Sequence, residues 1–147
     1  MSIRQRPITI GWKEWIDLPE WKLSHIRAKI DTGACSTALG VERYRILERD
    51  GQILVSFTPA IRRHSIRKPR RVVVPLVGYV RVRSTSGIVE VRPVIETTLQ
   101  LGLIRKVIRL TLTNRSAMRH AIILGRSALR DDFIVDVGQK YVQVEKS

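Results

Sequence analysis

The sequence predicts an almost all-β fold with one short helix near the C-terminus. Apolar and polar residues alternate over several segments, as in strands with one buried face. Turn-forming pairs such as Asp50-Gly51 separate these segments, and only Ser127–Leu129 is typical of a short helix. At 147 residues the chain can bury the core of one domain, while two would be cramped, so we expect a single domain over residues 1–147.

The first half of the chain is predicted to form two hairpins. The first joins Ile8–Trp15 to Lys22–Ile30 through Asp17-Leu18-Pro19-Glu20. The second joins Val41–Leu47 to Gln52–Phe57 around Asp50-Gly51, the strongest short hairpin signal in the sequence. Three tryptophans, at positions 12, 15 and 21, crowd the first hairpin. They could form a stacking surface for bases or sugars, but we interpret them as packing residues, which is the commoner role.

The second half is predicted to contain further strands. Arg71–Val77 is β-branched and continuous, as in a strand buried on both faces, and Pro75 favours an edge position or a bulge. The remaining predicted strands are a hairpin over Val80–Arg92 with a pliable tip at Ser84–Gly87, a pair formed by Thr97–Leu101 and Lys106–Thr113 around Gly102, and the segments Ile122–Leu124, Phe133–Val137 and Tyr141–Val144. In the strand after Gly102, we expect Ile108, Leu110 and Leu112 to share one face.

The charge of the chain indicates a polyanionic partner. Lysine and arginine number 27 against 13 acidic residues, which gives a formal net charge of +14. Positions 51 to 89 hold no carboxylate but eight basic residues, several of them in an exposed basic loop predicted over residues 60–71. This loop is either a solvated insertion or a contact for nucleic acid or an acidic peptide, and the sequence leaves both open.

The sequence favours a cytoplasmic protein that does not enter a membrane. The first residues lack the apolar stretch of a signal peptide, and the longest apolar run, Val72–Val80, is too short to span a bilayer. Cys35 is the only cysteine, so no internal disulfide can form, in agreement with a reducing compartment.

The candidate catalytic residue is Asp31, which follows a strand-like segment and begins the turn Asp31-Thr32-Gly33. Its flanks, Ile30 and Ala34, are apolar or small and predict burial of the turn, where an isolated ionised carboxylate is costly unless its charge is shared. Thr32 supplies a hydroxyl, and Gly33 allows other atoms to approach the backbone. These are the parts of an aspartic-peptidase catalytic loop, although Asp-Thr-Gly alone also makes ordinary surface turns.

A second motif supports the catalytic interpretation. Ile122-Ile123-Leu124-Gly125-Arg126 reads as a buried strand that continues through Gly-Arg into a short helix. With both motifs in this order, the chain from Ile8 to Val144 resembles the retropepsins, small aspartic peptidases of retroviruses and their cellular relatives. The segments 11–19, 84–94 and 110–118 resemble more closely a bacterial retropepsin-like family that has been labelled "ATP-dependent zinc protease".

The zinc label has no support in this sequence. The three histidines, His25, His64 and His120, lie far apart, and there is no His-Glu-x-x-His pair to hold zinc on one helix face. We therefore interpret them as surface histidines and expect neither a metal nor another cofactor.

The resemblance implies a closed β-barrel that acts as a C2 homodimer. Carboxylate-based peptide hydrolysis needs two carboxylates around one water, and the chain has one such turn, so a second Asp31 must come from a second chain. Asp31, Thr32 and Gly33 are the expected catalytic residues, with Ala34, Gly125 and Arg126 as structural support. Many retropepsins have an aspartate where Cys35 stands here, which leaves the partner of Arg126 unidentified. Cys35 has no recognisable histidine partner, so we expect an inert, buried thiol rather than a nucleophile.

The resemblance also implies a substrate-binding flap over Val80–Arg92; the alternative is an ordinary solvent-facing hairpin. Because Arg81 and Arg83 alternate with valines, we expect one basic and one apolar face. Lys29, two residues before Asp31, is expected to point towards the cleft, where retropepsins usually carry an apolar residue; otherwise it extends to solvent. The expected substrate-binding residues are Lys29, Arg81, Arg83, Ser84, Gly87 and Arg115.

The related bacterial family is associated with ATP-grasp ligases that add glutamates to protein tails. The sequence and this resemblance therefore favour an aspartic endopeptidase acting on acidic peptides, with poly-α-glutamate or glutamylated protein tails as the preferred substrates. The alternative is a basic nucleic-acid-binding β-domain without catalysis, which has the same charge in its favour but no recognisable aromatic-interleaved RNA motif.

Overall fold

The computed structural model describes residues 6–61, 70–83, 86–114 and 120–143. Its strands are β1 (Ile8–Gly11), β2 (Lys13–Leu18), β3 (Leu23–Ile30), β4 (Thr37–Arg49), β5 (Gln52–Pro59), β6 (Val72–Pro75), β7 (Gly78–Arg83), β8 (Val89–Leu101), β9 (Ile104–Asn114), β10 (Ile122–Leu124) and β11 (Phe133–Asp136). A 3₁₀ turn covers Pro19–Trp21, and the helix α1 covers Arg126–Leu129. The prediction of a mostly β fold with one short helix is confirmed.

Six strands pair into a ring in the order β10, β3, β2, β8, β9 and β4, because β4 also pairs with β10. β10 lies between β3, to which it is parallel, and β4, to which it is antiparallel. β5 and β6 extend the sheet from β4, and β7 pairs with β8. β1 and β11 form a separate parallel pair. The near-closed ring agrees with the barrel that the resemblance implies.

The core fills the inside of this ring with aliphatic side chains. Ile108, Leu110 and Leu112 are all at most 4% exposed, which confirms the face predicted for β9. Other fully buried members are Ile10, Ile16, Leu18, Ile26, Leu39, Ile95, Leu99, Leu101, Ile122 and Leu124. β3 and β10, the strands that lead into the two sequence motifs, both contribute side chains to this core.

The prediction of one strand over Ile8–Trp15 is wrong. β1 pairs with β11, whereas the hairpin with β3 begins only at Lys13. Between them, the Trp12 amide donates to the Gln139 carbonyl at 2.9 Å, and the Trp12 carbonyl accepts from Ile30 at 2.8 Å. A distant part of the chain therefore takes the backbone groups of Trp12 out of the hairpin ladder.

The hairpin around Asp50-Gly51 is confirmed. Both residues have positive φ angles, 53° and 78°, as a two-residue turn of the I′ type requires. β4 is longer than predicted, because it begins at Thr37, where it pairs with β9 before it meets β5.

The prediction that Arg71–Val77 forms a strand buried on both faces is wrong. β6 covers only Val72–Pro75, and half-buried and exposed side chains alternate along it. Among the described strands β6 pairs only with β5, so Pro75 lies on an edge strand there, as predicted.

Residues 137–143, which we call the C-terminal segment, contain no strand, so the strand predicted at Tyr141–Val144 is wrong in its described part. The segment instead crosses β1 and β2. The buried Glu14 carboxylate accepts hydrogen bonds from the amides of Gly11 at 2.6 Å, Val142 at 2.9 Å and Gln143 at 3.0 Å. One side chain therefore joins the β1–β2 connection to the end of the described chain.

A turn at Asp136 leads into the C-terminal segment. Its carboxylate accepts hydrogen bonds from the Gln139 side chain at 2.6 Å and from the Gly138 amide at 2.9 Å. These two donors stabilise the charged form and lower the pKa of Asp136 below its ordinary value of 3.8.

The tryptophans have different environments. Trp21 packs against the core with its ring in edge contact with Phe57, which agrees with the packing interpretation. Trp12, between β1 and β2, and Trp15, on the half-buried face of β2, lie outside the core cluster. Trp15 packs instead against Tyr141, with 5.0 Å between the ring centroids. The packing interpretation is therefore confirmed for Trp15, although outside the core, and stays a prediction for Trp12. In the described ranges, no helix is long and apolar enough to cross a membrane.

Candidate active site

Asp31 lies where β3 ends beside β10. Its amide donates to the Leu124 carbonyl at 2.9 Å, which continues the parallel pairing of Ile30 with Leu124 by one residue. Its Oδ1 accepts the Gly33 amide at 3.0 Å, so the carboxylate is held over its own turn. Ile30 is buried but Asp31 is half-exposed, which corrects the expectation that the turn lies in the protein interior. In a single chain, the carboxylate is therefore open to a substrate or a second copy.

The start of α1 holds the other side of the turn. The Ala34 amide donates to the Asp31 carbonyl at 3.2 Å. The Ala34 carbonyl accepts from Arg126 at 2.8 Å, and the Cys35 carbonyl accepts from Ser127 at 3.0 Å. The two sequence motifs thus meet through backbone hydrogen bonds, even though they lie more than 90 residues apart in the chain.

Gly125 is the point of closest approach between the motifs. A β-carbon built there would lie 2.3 Å from the Ser36 carbonyl oxygen and 2.9 Å from that of Ala34, distances that no side chain tolerates. The Gly125 amide donates to the hydroxyl of the buried Thr37 at 3.1 Å. The glycine is required for space, since its conformation is extended and open to other residues.

Arg126 has a partner that the sequence did not identify. Its Nη1 donates to the Thr32 carbonyl at 3.0 Å. A backbone carbonyl carries no residue-specific signal, so no sequence pattern could have indicated it. Cys35 is exposed, which corrects the expectation of a buried thiol.

Lys29 is exposed between the buried residues Ala28 and Ile30, so its side chain leaves the core side of β3, as predicted. In the sheet it stands beside Lys13 of β2 and Ile123 of β10. Its direction towards the cleft remains a prediction.

The hairpin of β7 and β8 is confirmed, and its register shows how its faces are composed. Arg81 lies opposite Val91, and Arg83 lies opposite Val89. All four are exposed, so the arginines share their face with apolar residues. The other face combines Val80 and Val82 of β7 with the ion pair of Glu90 and Arg92 at 3.1 Å. The prediction of one basic and one apolar face is therefore correct within β7 but wrong for the hairpin.

The remaining positions predicted from the sequence lie away from the Asp31 turn in the chain or outside the described residues. Gly87 is exposed at the hairpin tip with a φ of 85°. Ser84, Arg115, His64 and most of the basic loop, residues 62–69, lie outside the described residues. Of the other histidines, His25 is exposed and His120 half-buried. No group of three histidine, cysteine or acidic side chains that could hold a metal occurs in the ranges that the structure describes.

The geometry supplies one half-exposed carboxylate on a turn that is held by hydrogen bonds to Leu124 and Arg126. Such a group can take a proton from a water molecule, but it cannot at the same time donate a proton to a carbonyl oxygen. The chemistry of carboxylate-based peptide hydrolysis therefore needs a second acid at this place.

The chain is similar to known proteins in sequence and in fold. Residues 9–146 match the RimB-like family, described as the retropepsin-like aspartic endopeptidase RimB. The chain also matches a crystal structure of a protein of unknown function from Legionella pneumophila, with a TM-score of 0.76 and 27% sequence identity over 92% of this chain and 98% of that one.

Longer curated proteins contain a similar segment. A "probable alpha-L-glutamate ligase" of Desulfotalea psychrophila is 38% identical over 86% of this chain and 27% of its own length. The proteins of the same name from Parasynechococcus marenigrum and Shewanella pealeana are 38% and 31% identical over 89% and 93% of this chain. The chain spans less than a third of the length of these relatives.

Proposed function

Because the chain belongs to the RimB-like family of retropepsin-like aspartic endopeptidases, we propose that it hydrolyses poly-α-glutamate or glutamylated protein tails at a site formed by two copies of Asp31. The observation that carries this proposal is the half-exposed Asp31 carboxylate on a turn fixed by Leu124 and Arg126. The substrate and the dimer go beyond family membership and rest on the arguments that follow.

The proposed mechanism uses the two Asp31 turns of a C2 dimer. One carboxylate takes a proton from a bound water, whose oxygen attacks the peptide carbonyl carbon. The other, protonated, donates a hydrogen bond to the carbonyl oxygen, and a proton then passes to the leaving nitrogen as the C–N bond breaks. Since two like charges at such short range disfavour double ionisation, the pair shares one proton at rest. Thr32 is the proposed contact between the turns.

The acidic substrate is supported by charge and by the relatives. A net charge of +14 favours a polyanion, and Lys29, Arg81 and Arg83, which we propose as substrate-binding residues, are exposed. The similar segment in the longer relatives occurs within proteins named as glutamate ligases. An endopeptidase for polyglutamate would break the kind of bond that such a ligase makes.

The test is incubation of the protein with poly-α-glutamate, with and without EDTA, and with Asp31→Asn as the matched variant. We expect shorter glutamate oligomers to form at the same rate with EDTA and to be absent with Asp31→Asn. Cleavage that survives in the variant would exclude Asp31 as the catalytic group, and cleavage lost with EDTA would indicate a metal instead. Intact polymer in all samples would refute the proposed substrate.

A further inference from the structure

A row of charged residues runs along the exposed face of β3 to the active-site turn. Arg27 and Lys29 are exposed, and the residues between and after them, Ala28 and Ile30, are buried. Asp31 follows Lys29 at the same two-residue spacing. In an extended chain, residues two apart lie on one side about 7 Å from each other. Arg27, Lys29 and Asp31 therefore form a row of two cations and the catalytic carboxylate, which we call the β3 row.

Aromatic rings hold the outer cation of this row in place. The Arg27 guanidinium lies 5.5 Å from the ring centroid of Trp15, its cross-strand neighbour on β2. The Trp15 ring in turn stacks on Tyr141 of the C-terminal segment, at 5.0 Å between centroids and 21° between planes. Next to them, the Lys13 ammonium lies 4.5 Å from the centroid of Trp12. Trp12 and Trp15, which the core does not use, thus support cations beside the active site.

This arrangement fits a carboxylate ligand better than a nucleobase. A stacking platform for bases needs an open ring face. Trp15 already contacts Tyr141 and Arg27, so its ring is engaged by the protein. Arg27 and Lys29, by contrast, have no acidic partner among the residues that the structure describes. What the β3 row offers is cationic groups held at fixed positions.

The spacing of the row matches an extended acidic chain. Alternate glutamate side chains of an extended peptide project on one side every two residues, about 7 Å apart, which is the spacing of Arg27 and Lys29. From Asp31 to Arg27 is four residues, or about 13 Å. A substrate must therefore extend about four residues from the scissile bond on one side to reach Arg27.

We propose that the β3 row is an extended binding site for the acidic chain on one side of the scissile bond, in which Arg27 binds a substrate carboxylate remote from the reacting atoms. This inference rests on the proposed function. It adds that cleavage depends on chain length and rises when the glutamate chain becomes long enough to reach Arg27.

The experiment compares glutamate oligomers of about three to about twelve residues at fixed ionic strength. For the parent protein, kcat/KM should increase stepwise once about four glutamates stand on one side of the bond. Arg27→Gln should lower kcat/KM for the long oligomers by about three- to fivefold, as expected for one exposed ion pair, and should remove the step. Arg27→Lys should retain most of kcat/KM for the long oligomers, and the step, because the charge remains.

Arg49→Gln is the matched control, because it removes the same charge from the exposed end of β4. If both glutamine variants lose the same fraction of kcat/KM, general attraction explains the effect and the β3 row is not a site. The β3 row is likewise not a site if the parent cleaves polyglutamate but Arg27→Gln keeps the step. In that case the proposed function still stands.

Binding provides an independent readout. Labelled glutamate oligomers are titrated against Asp31→Asn, alone and combined with Arg27→Gln, with single-stranded RNA of equal length in parallel. Weaker binding of long oligomers only when Arg27 is replaced supports the inference. Binding of RNA that is tighter than that of the oligomer and equally sensitive to Arg27 would overturn it. Absence of oligomer binding would overturn both the inference and the proposed substrate.

Discussion

Single residues carry both the proposed chemistry and the proposed choice of substrate. Asp31 could be selected from the sequence because the turn Asp31-Thr32-Gly33 and the Gly125-Arg126 pair occur in the order typical of retropepsins. Its surroundings could be predicted only in part. The partner of Arg126 is a main-chain carbonyl, and Asp31 is half-exposed on a turn that the distant residues Leu124 and Arg126 hold by hydrogen bonds. Neither feature leaves a mark in the local residue pattern.

At the residue scale, we predict that Lys29→Leu lowers cleavage after glutamate by about tenfold and increases cleavage after apolar residues. The lysine would pair with a substrate carboxylate within the closed cleft, where a hydrogen bond to a charged group contributes about 1.5–3 kcal/mol. The measurement is kcat/KM on matched peptides with glutamate or leucine beside the scissile bond.

Arg49→Leu serves as the control for loss of a surface charge and should leave the preference between the two peptides unchanged. If Lys29→Leu cuts the glutamate peptide as well as the parent does, Lys29 extends to solvent and specificity comes from the arginines.

At the scale of elements, strong local signals were sufficient to predict a hairpin. Divisions between strands that depend on long-range contacts could not be predicted. The Asp50-Gly51 pair specifies its hairpin through two positive φ angles, so the sequence alone predicts it. The division of Ile8–Trp15 into β1 and β2 follows from the C-terminal segment, which approaches Gly11 so closely that a β-carbon there would lie 2.4 Å from the Gln139 carbonyl oxygen. A pattern read within one segment cannot report a contact made almost 130 residues later.

We predict that Glu14→Gln destabilises the protein by about 2 kcal/mol and loosens the C-terminal segment. The buried carboxylate accepts three amide hydrogen bonds, whereas a glutamine amide replaces one acceptor oxygen by a donor that faces the same N–H groups. Denaturant unfolding measures the loss, and amide hydrogen exchange of residues 139–143 locates it.

Glu48→Gln is the corresponding change at an exposed position of β4 and should leave both measurements as in the parent. An unchanged unfolding midpoint for Glu14→Gln would show that the three hydrogen bonds do not hold the segment.

For the whole molecule, a closed β-barrel could be expected from the family resemblance, but neither its six strands nor their pairing partners could be derived from periodicity alone. Alternation predicts that β3, β4 and β10 are strands. It does not predict that β10 inserts between the other two, and this insertion brings Gly125 against Ser36. The site is thus a property of the complete fold.

The whole-molecule prediction concerns the proposed dimer. If each site needs one Asp31 from each chain, mixing the parent with an equal amount of Asp31→Asn under conditions of subunit exchange should reduce the parental activity to about half. Random pairing converts half of the parental chains into mixed dimers with one competent carboxylate. Activity per chain should also fall on dilution, in step with the dimer fraction measured by sedimentation.

Activity that is unaffected by the added variant, under conditions where sedimentation demonstrates exchange, would mean that one chain carries out the reaction alone. Leu103→Asp is the control variant, because Leu103 is 85% exposed and belongs to neither motif. Adding it to the parent should leave the parental activity unchanged.

The bond network around Glu14 also has a mechanical consequence. The Gln143 side chain donates to the Thr9 carbonyl at 3.0 Å, so the first and last described strands and the segment beyond them are tied together at one place. A force applied to the two ends of the chain would load this tie first. Behind it, the parallel strands β1 and β11 would be pulled in shear, with their hydrogen bonds sharing the load. The turn that carries Asp31 would stay unstrained until these had given way.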